Sequence, residues 1–350
     1  MTQSSDVQSE QTVATDISFL ISDYQQGITS QRTAADVLEF VDNINAICEW
    51  MSSLDRLNFL KGLRTALTNS YWSASRIKMY MRPLLKMSGV DHADEWVMLA
   101  LQESESSQSR LVRDIDPQKG LIISSTFLES HDSYIYVDDA SYTGRTLSKY
   151  LMRICGELSK MQKKPRKLII WHLLEYSRET FTRIGEGLAQ LESLEVRVIF
   201  QRVEDLANKT NEGKRLGTLL PSSDCSSSPI VQRYLNSRPP LLAMKDNPAL
   251  WRDPNDEFED GLFASLDERN VVEKALLEVG CYLYLHTEQP QFRPLGYFAS
   301  VRDVSFGFGS MFCTCHNSAN TSPVAMWWGD PSKPKYSPLS LWKPLLPRIV

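Results

Sequence analysis

The sequence lacks a cysteine framework. Cys48, Cys155, Cys225, Cys281, Cys313 and Cys315 follow no regular spacing, which argues against a small disulfide-stapled scaffold. No apolar run reaches the ~20 residues that a membrane-spanning helix needs, and the opening MTQSSDVQSEQ is polar where a secretory signal would be apolar. Positive charge is not in excess: Lys and Arg total 38 against 43 Asp and Glu, a formal net charge of -5, so no global field draws the chain to nucleic acid. Walker-type and Ser/His/Asp hydrolase patterns, internal repeats and heptads are absent as well. These absences predict a cytoplasmic globular protein with no membrane contact and no strong direct nucleic-acid signal. With 42% apolar residues in 350, the chain can bury a sizeable core without staples. Lys160, Lys163, Lys164, Arg166 and Lys167 form a local basic cluster, best read as a solvated helix end where cations suit the C-terminal dipole.

What is present is concentrated in one run, Tyr134-Ile-Tyr-Val-Asp138-Asp139-Ala-Ser141-Tyr142-Thr143-Gly144-Arg145-Thr146-Leu147. A buried-strand pattern ends in two adjacent carboxylates, followed by a turn of small residues and the start of an amphipathic helix. The strand places the acids at the carboxyl edge of a sheet, where open α/β sheets hold their ligands. The turn from Ser141 to Thr146 offers backbone N–H groups at a helix start, where the dipole favours an anion. Gly144 permits close backbone approach, and Thr143 and Thr146 add hydroxyls. The chemistry is that of acids for sugar hydroxyls beside a cradle for a phosphate.

Along the chain, residues 1–14 are polar and expected to be disordered. Residues 15–88 read as helices, with Thr33/Asp36 as one capped start and Ser53/Arg56 as a weaker one. From residue 89 to 206, strands near Trp96–Leu101, Leu121–Ser124, Tyr134–Val137, Lys167–Leu174 and Glu195–Phe200 alternate with helices near Arg145–Lys160 and Arg178–Leu191. This predicts an α/β, doubly wound, mainly parallel sheet. Residues 207–260 are rich in turn formers and expected to be an irregular insert. Residues 261–350 should complete the core and form a C-terminal hood, with a helix from Ser265 to Leu277 and strands around Cys281–Leu285, Gly296–Ser300 and Ser310–Cys315.

The Asp-Asp-x-x-x-Thr-Gly-x-Thr run resembles the phosphoribosyl-pyrophosphate (PRPP) loop of type I phosphoribosyltransferases. That resemblance implies the fold of that class, with Asp138 and Asp139 on the ribose 2- and 3-hydroxyls and Ser141, Tyr142, Thr143, Gly144, Arg145 and Thr146 around the 5-phosphate. It also implies that the turn after the first core strand, residues 103–109 with Ser106 and Ser107, supports pyrophosphate. Glu103 and Glu105 repel pyrophosphate unless Mg²⁺ intervenes, so Mg²⁺ is the expected cofactor. Tyr136 and Tyr142 are bulkier than the pattern usually carries.

A wider set of segments looks like the phosphoribosyltransferase-like family of bacterial conflict systems. These are Phe263-Ala264-Ser265 with Arg269, Glu273 and Gly280, then Pro294-Leu-Gly-Tyr297, His316-Asn-Ser-Ala-Asn-Thr321 and Trp342-Lys-Pro-Leu-Leu-Pro-Arg348. The resemblance implies an antiphage role, including retron-type operons. Partners encoded nearby are implied with it, such as a reverse transcriptase–RNA complex or another defence subunit. It leaves open an enzyme acting on PRPP, a binding regulator that has lost transfer chemistry, and a docking subunit.

Other residues carry plainer readings. Cys313-Thr-Cys-His316 cannot converge on a metal from a flat strand, because His316 points opposite to the cysteines. His316 reads as a packed histidine, and His172 as a core residue of its apolar strand. Trp327 and Trp328 could stack a base, although packing is their default. Arg269 and Glu273, four apart, could pair along a helix.

Overall fold

Hydroxyl caps set where the first helices begin. In a computed structural model of the chain, residues 2–87, 96–99, 106–115, 132–205, 217–238, 250–252, 261–287, 293–297, 305–330, 332–335 and 337–348 are described. Helices α1 (Thr2–Leu20), α2 (Ala34–Ile47) and α3 (Ser53–Ser70) are followed by a short strand β1 (Tyr71–Trp72). The first 14 residues, expected to be disordered, are instead helical from Thr2. Burial anchors the later part of this helix, where Val13, Ala14 and Ile17 recur at helical spacing and are all buried. Thr33 and Asp36 form a capping box on α2. The second box lies one residue before the expected one, at Ser52 with Asp55, because the third helical position must accept from the cap's N–H and an arginine cannot.

These elements belong to a unit made of residues 1–73 and 207–350; residues 74–206 form the other. The second unit holds α4 (Ala74–Met87), β2 (Trp96–Leu99), α5 (Ser107–Ile115), β3 (Ser133–Ser141), α6 (Arg145–Leu158), β4 (Lys167–Glu175), α7 (Ser177–Ser193) and β5 (Arg197–Asp205). Its four strands are all parallel in the order β2-β3-β4-β5. The fold is therefore α/β. Among the described residues the strand order does not reverse, as it would in a doubly wound sheet. Because β3→α6→β4 and β4→α7→β5 step the same way across the sheet, right-handed crossovers put α6 and α7 on one face. One core results, in which Tyr134, Tyr136, Leu168 and Ile170 pack against Leu147, Leu151, Ile184 and Leu191. The strand expected at Leu121–Ser124 lies outside the described residues.

The first unit resumes with a 3-10 turn (Ser223–Ser227), α8 (Pro229–Asn236), α9 (Leu266–Leu285), β6 (Cys313–Thr314), α10 (Val324–Trp327) and α11 (Pro338–Leu341). β6 pairs in parallel with β1. The span expected to be irregular thus contains a helix, started by Pro229 at its first turn and held by buried Val231, Tyr234 and Leu235. The strand expected at Cys281–Leu285 is the last part of α9. That helix is buried on nearly every side, so the apolar run that reads as a strand is the signature of a central helix. Gly62 lets α3 approach it closely, since a methyl group there would lie 2.8 Å from Val272 Cγ2. Inside this unit Glu273, fully buried, accepts from Arg269 Nε at 2.9 Å, Arg252 Nη2 at 3.2 Å and the Leu220 N–H at 2.9 Å. The Arg269–Glu273 pair expected from spacing is therefore present and is widened by Arg252.

Candidate functional site

β3 carries the two acids at its carboxyl end, and the alternation of the strand gives them different surroundings. Asp138 shares a face with Tyr136 and is buried, while Asp139 is half-buried. The Tyr136 hydroxyl donates to Asp138 Oδ2 at 2.7 Å, and the Asp139 N–H donates to Asp138 Oδ1 at 3.0 Å. Asp139 Oδ1 in turn accepts from the Ala140 N–H at 2.8 Å. Burial, and then the neighbouring Asp139 charge, push the Asp138 carboxyl well above the usual carboxylate range; the Tyr136 hydrogen bond opposes this. Burial and the Asp138 charge keep the Tyr136 phenol protonated to well above its ordinary value, so it remains a donor. The bulky Tyr136, which stood out against the usual loop pattern, thus partners one of the acids.

The turn that follows is fixed from β4 and α7. Ser141 Oγ and Thr180 Oγ1 lie 2.9 Å apart, and the Ser141 carbonyl accepts from the Tyr176 N–H at 2.8 Å. Tyr142 is buried, Thr143 is half-buried, and Arg145 and Thr146 are exposed at the start of α6. Thr143 Oγ1 accepts from the Arg145 N–H at 3.1 Å. Gly144 caps the helix with φ +65°, and a methyl group there would lie 2.8 Å from both Cα and O of Thr180. The glycine is thus demanded by the close approach of α7 as well as by its backbone angle.

Ser106 and Ser107 belong to the same unit. The Ser106 hydroxyl accepts from the Ser109 N–H at 3.2 Å and its carbonyl from the Arg110 N–H at 3.1 Å, so Ser106 caps α5 and Ser107 opens it. The next residue, Gln108, is buried and donates from Nε2 to the carbonyl of Val137 at 2.8 Å. The start of α5 is thereby anchored to β3 one residue before Asp138. Ser106, Ser107, the two acids and the 141–146 turn all sit at the carboxyl side of one parallel sheet. Glu103 and Glu105, the acids expected to recruit Mg²⁺, lie outside the described residues.

Sequence reasoning missed the neighbours of Asp138 on β4. His172 is the register partner of Asp138, and Glu175 that of Ser141. Both are buried, with His172 Nδ1 3.5 Å from Glu175 Oε2. Two polar residues inside the apolar run Lys167–Glu175 were the available signal.

The remaining candidates lie elsewhere or are otherwise engaged. Cys313 and Cys315 are buried free thiols, and the Cys315 N–H donates to the Trp72 carbonyl at 2.9 Å. Trp327 Nε1 donates to the Ser322 carbonyl at 2.8 Å, and Arg348 stands 5.4 Å from its ring, which is a packing role. In the basic cluster Lys160 pairs with Glu157, while Lys163 and Arg166 approach Asp132.

A parallel α/β sheet with paired acids and a glycine-capped turn at its carboxyl edge is an arrangement suited to a phosphorylated sugar. The chain belongs to the PRTase-CE family, whose model matches residues 43–348, and is phosphoribosyltransferase-like on that basis. No curated protein matches it. Among the described residues no helix is long and apolar enough to cross a membrane.

Proposed function

We propose that this protein binds PRPP or a related ribose 5-phosphate compound at residues 138–146 and acts as an effector or component of a bacterial antiphage system. The observation that carries the reading is the convergence of Asp138, Asp139 and the Gly144-capped start of α6 at one sheet edge, in a chain of phosphoribosyltransferase-like family. The α6 N-terminus and the Thr143 and Thr146 hydroxyls receive the 5-phosphate. The acids hold the ribose hydroxyls, and Ser106 and Ser107 face the pyrophosphate. Phosphate binding energy then positions the sugar for chemistry at C1, where carboxylates offset a developing oxocarbenium charge. Mg²⁺, bound with pyrophosphate, would neutralise that group's charge. In a defence setting the outcome is consumption of a nucleotide precursor or modification of a partner encoded alongside, such as a reverse transcriptase–RNA complex.

One observation favours a second reading, a ligand-binding regulator without transfer activity. Both Asp138 oxygens are engaged within β3, by Tyr136 and by the Asp139 N–H. A metabolite panel containing PRPP and nucleotides, followed with and without Mg²⁺ and an operon partner, separates the two. Consumption of PRPP or a nucleotide supports the enzyme. Tight binding with no consumption in any combination leaves the regulator.

A further inference from the structure

The strand beside the acids holds a costly arrangement. His172 and Glu175 are at most 1% exposed, yet neither imidazole nitrogen and neither carboxylate oxygen has a hydrogen-bond partner there. Their one close polar approach is the 3.5 Å contact between Nδ1 and Oε2. Buried polar groups without partners are rare in folded proteins and expensive, because water is lost and nothing replaces it. These two stand at the carboxyl edge of the sheet, where the ligand-binding acids are.

Register ties them to the site. His172 is opposite Asp138 on the adjacent parallel strand, so both side chains leave the same face of the sheet. The imidazole ring also stands edge-on to Tyr136, with centroids 6.2 Å apart, and Tyr136 is the residue whose hydroxyl holds Asp138. The other charged groups nearby have partners of their own. On β5, Arg202 is opposite His172 and pairs with Asp205 at 3.3 Å, while Glu204 pairs with Arg76 at 3.4 Å. From α6, Tyr150 packs against Tyr136, and Lys149 stands 5.7 Å from the Tyr150 ring. The imidazole thus stands opposite Asp138 and 3.5 Å from Glu175.

We propose that His172 and Glu175 are positioning residues of the ligand site: Glu175 holds the imidazole through Nδ1, and the imidazole becomes the polar partner of Asp138 whenever that carboxylate is ionised, as it is when it takes the sugar hydroxyls. The pair acts through Asp138 and does not itself touch the ligand. This rests on the ribose-phosphate reading for its use, although the coupling between the two strands is a property of the free chain.

The test titrates the assigned Asp138 carboxyl carbon by NMR in the ligand-free protein, while the His172 ring nitrogens are followed in the same samples. In the wild type the ring signals change with the Asp138 midpoint. His172→Phe, which keeps a ring but has no donor, moves that midpoint up by at least about one pH unit, and His172→Gln, which restores a donor, brings it back toward the wild type. Ribose 5-phosphate binding at pH 6.5 falls by about tenfold in His172→Phe and by less in His172→Gln. A ring blind to Asp138 ionisation overturns the proposal, as does a midpoint unmoved in folded His172→Phe. Should that variant not fold, the wild-type measurement decides alone. A wild type that binds no ribose phosphate sinks the functional reading, while the NMR titration still judges the coupling.

Discussion

Two buried carboxylates, one in each unit, are treated in opposite ways. Glu273 in the helical unit accepts from Arg269, Arg252 and a backbone N–H. Glu175 in the sheet unit is just as buried and, among the described residues, has only a distant imidazole. The first has both oxygens engaged and ties α9 to Arg252 and the segment at Leu220, although Arg252 Nε has no hydrogen-bond partner among the described residues. The second stands at the carboxyl edge of the parallel sheet, opposite Ser141 and 3.5 Å from His172, the register partner of Asp138, whose ionisation burial opposes. A carboxylate with both oxygens engaged holds a fold together; one left without donors is a cost that the proposed ligand site would account for.

Three substitutions sharpen that contrast. The largest expected effect is at Glu273: Glu273→Ala removes the carboxylate shared by two buried guanidinium groups and should cost about 3–5 kcal/mol in denaturant unfolding. A cost under about 1 kcal/mol would mean the network is weaker than its geometry. Next is Gly144→Ala, which forces a side chain into positive φ and against the Thr180 backbone. Its expected cost is about 2–3 kcal/mol, with α6 and α7 losing amide protection together. A neutral result would show that the turn can relax.

The smallest effect has the opposite sign. The raised Asp138 carboxyl means that the folded state favours its protonated form. Its stability contribution is therefore complete below the usual value of about 4 and is lost as pH rises through the folded value. Asp138→Asn carries no charge at any pH. It should melt with the wild type at pH 4 and about 2–4 °C above it at pH 8. A lower melting temperature than wild type at pH 8 would show that the carboxylate stabilises the fold and serves no cost-bearing role.

The contrast also explains what was legible in the sequence. The Asp138–Thr146 motif could be read because its parts are local: a strand, two acids, a glycine turn and a helix start. The expected Arg145–Lys160 helix runs over Arg145–Leu158, and the Lys167–Leu174 strand over Lys167–Glu175. Similarly, Arg269 and Glu273 reveal their pairing because four residues is one helical turn. What could not be read depends on distance along the chain. Gly144 answers to Thr180, Glu273 to Arg252, and Asp138 has His172 beside it across the sheet. Cys281–Leu285 failed for a related reason: its residues favour strands, and only burial on all sides shows why they continue α9.

If the acids and the turn form one ribose-phosphate site, calorimetric titration of PRPP with Mg²⁺ reads it out. The pair to compare is the wild type and the double variant Asp138→Asn with Asp139→Asn, with both melts recorded. Binding to the wild type should saturate and be weakened at least about tenfold in the folded double variant, a loss of about 1.4 kcal/mol or more. Equal binding by both proteins, or none by the wild type, would contradict it.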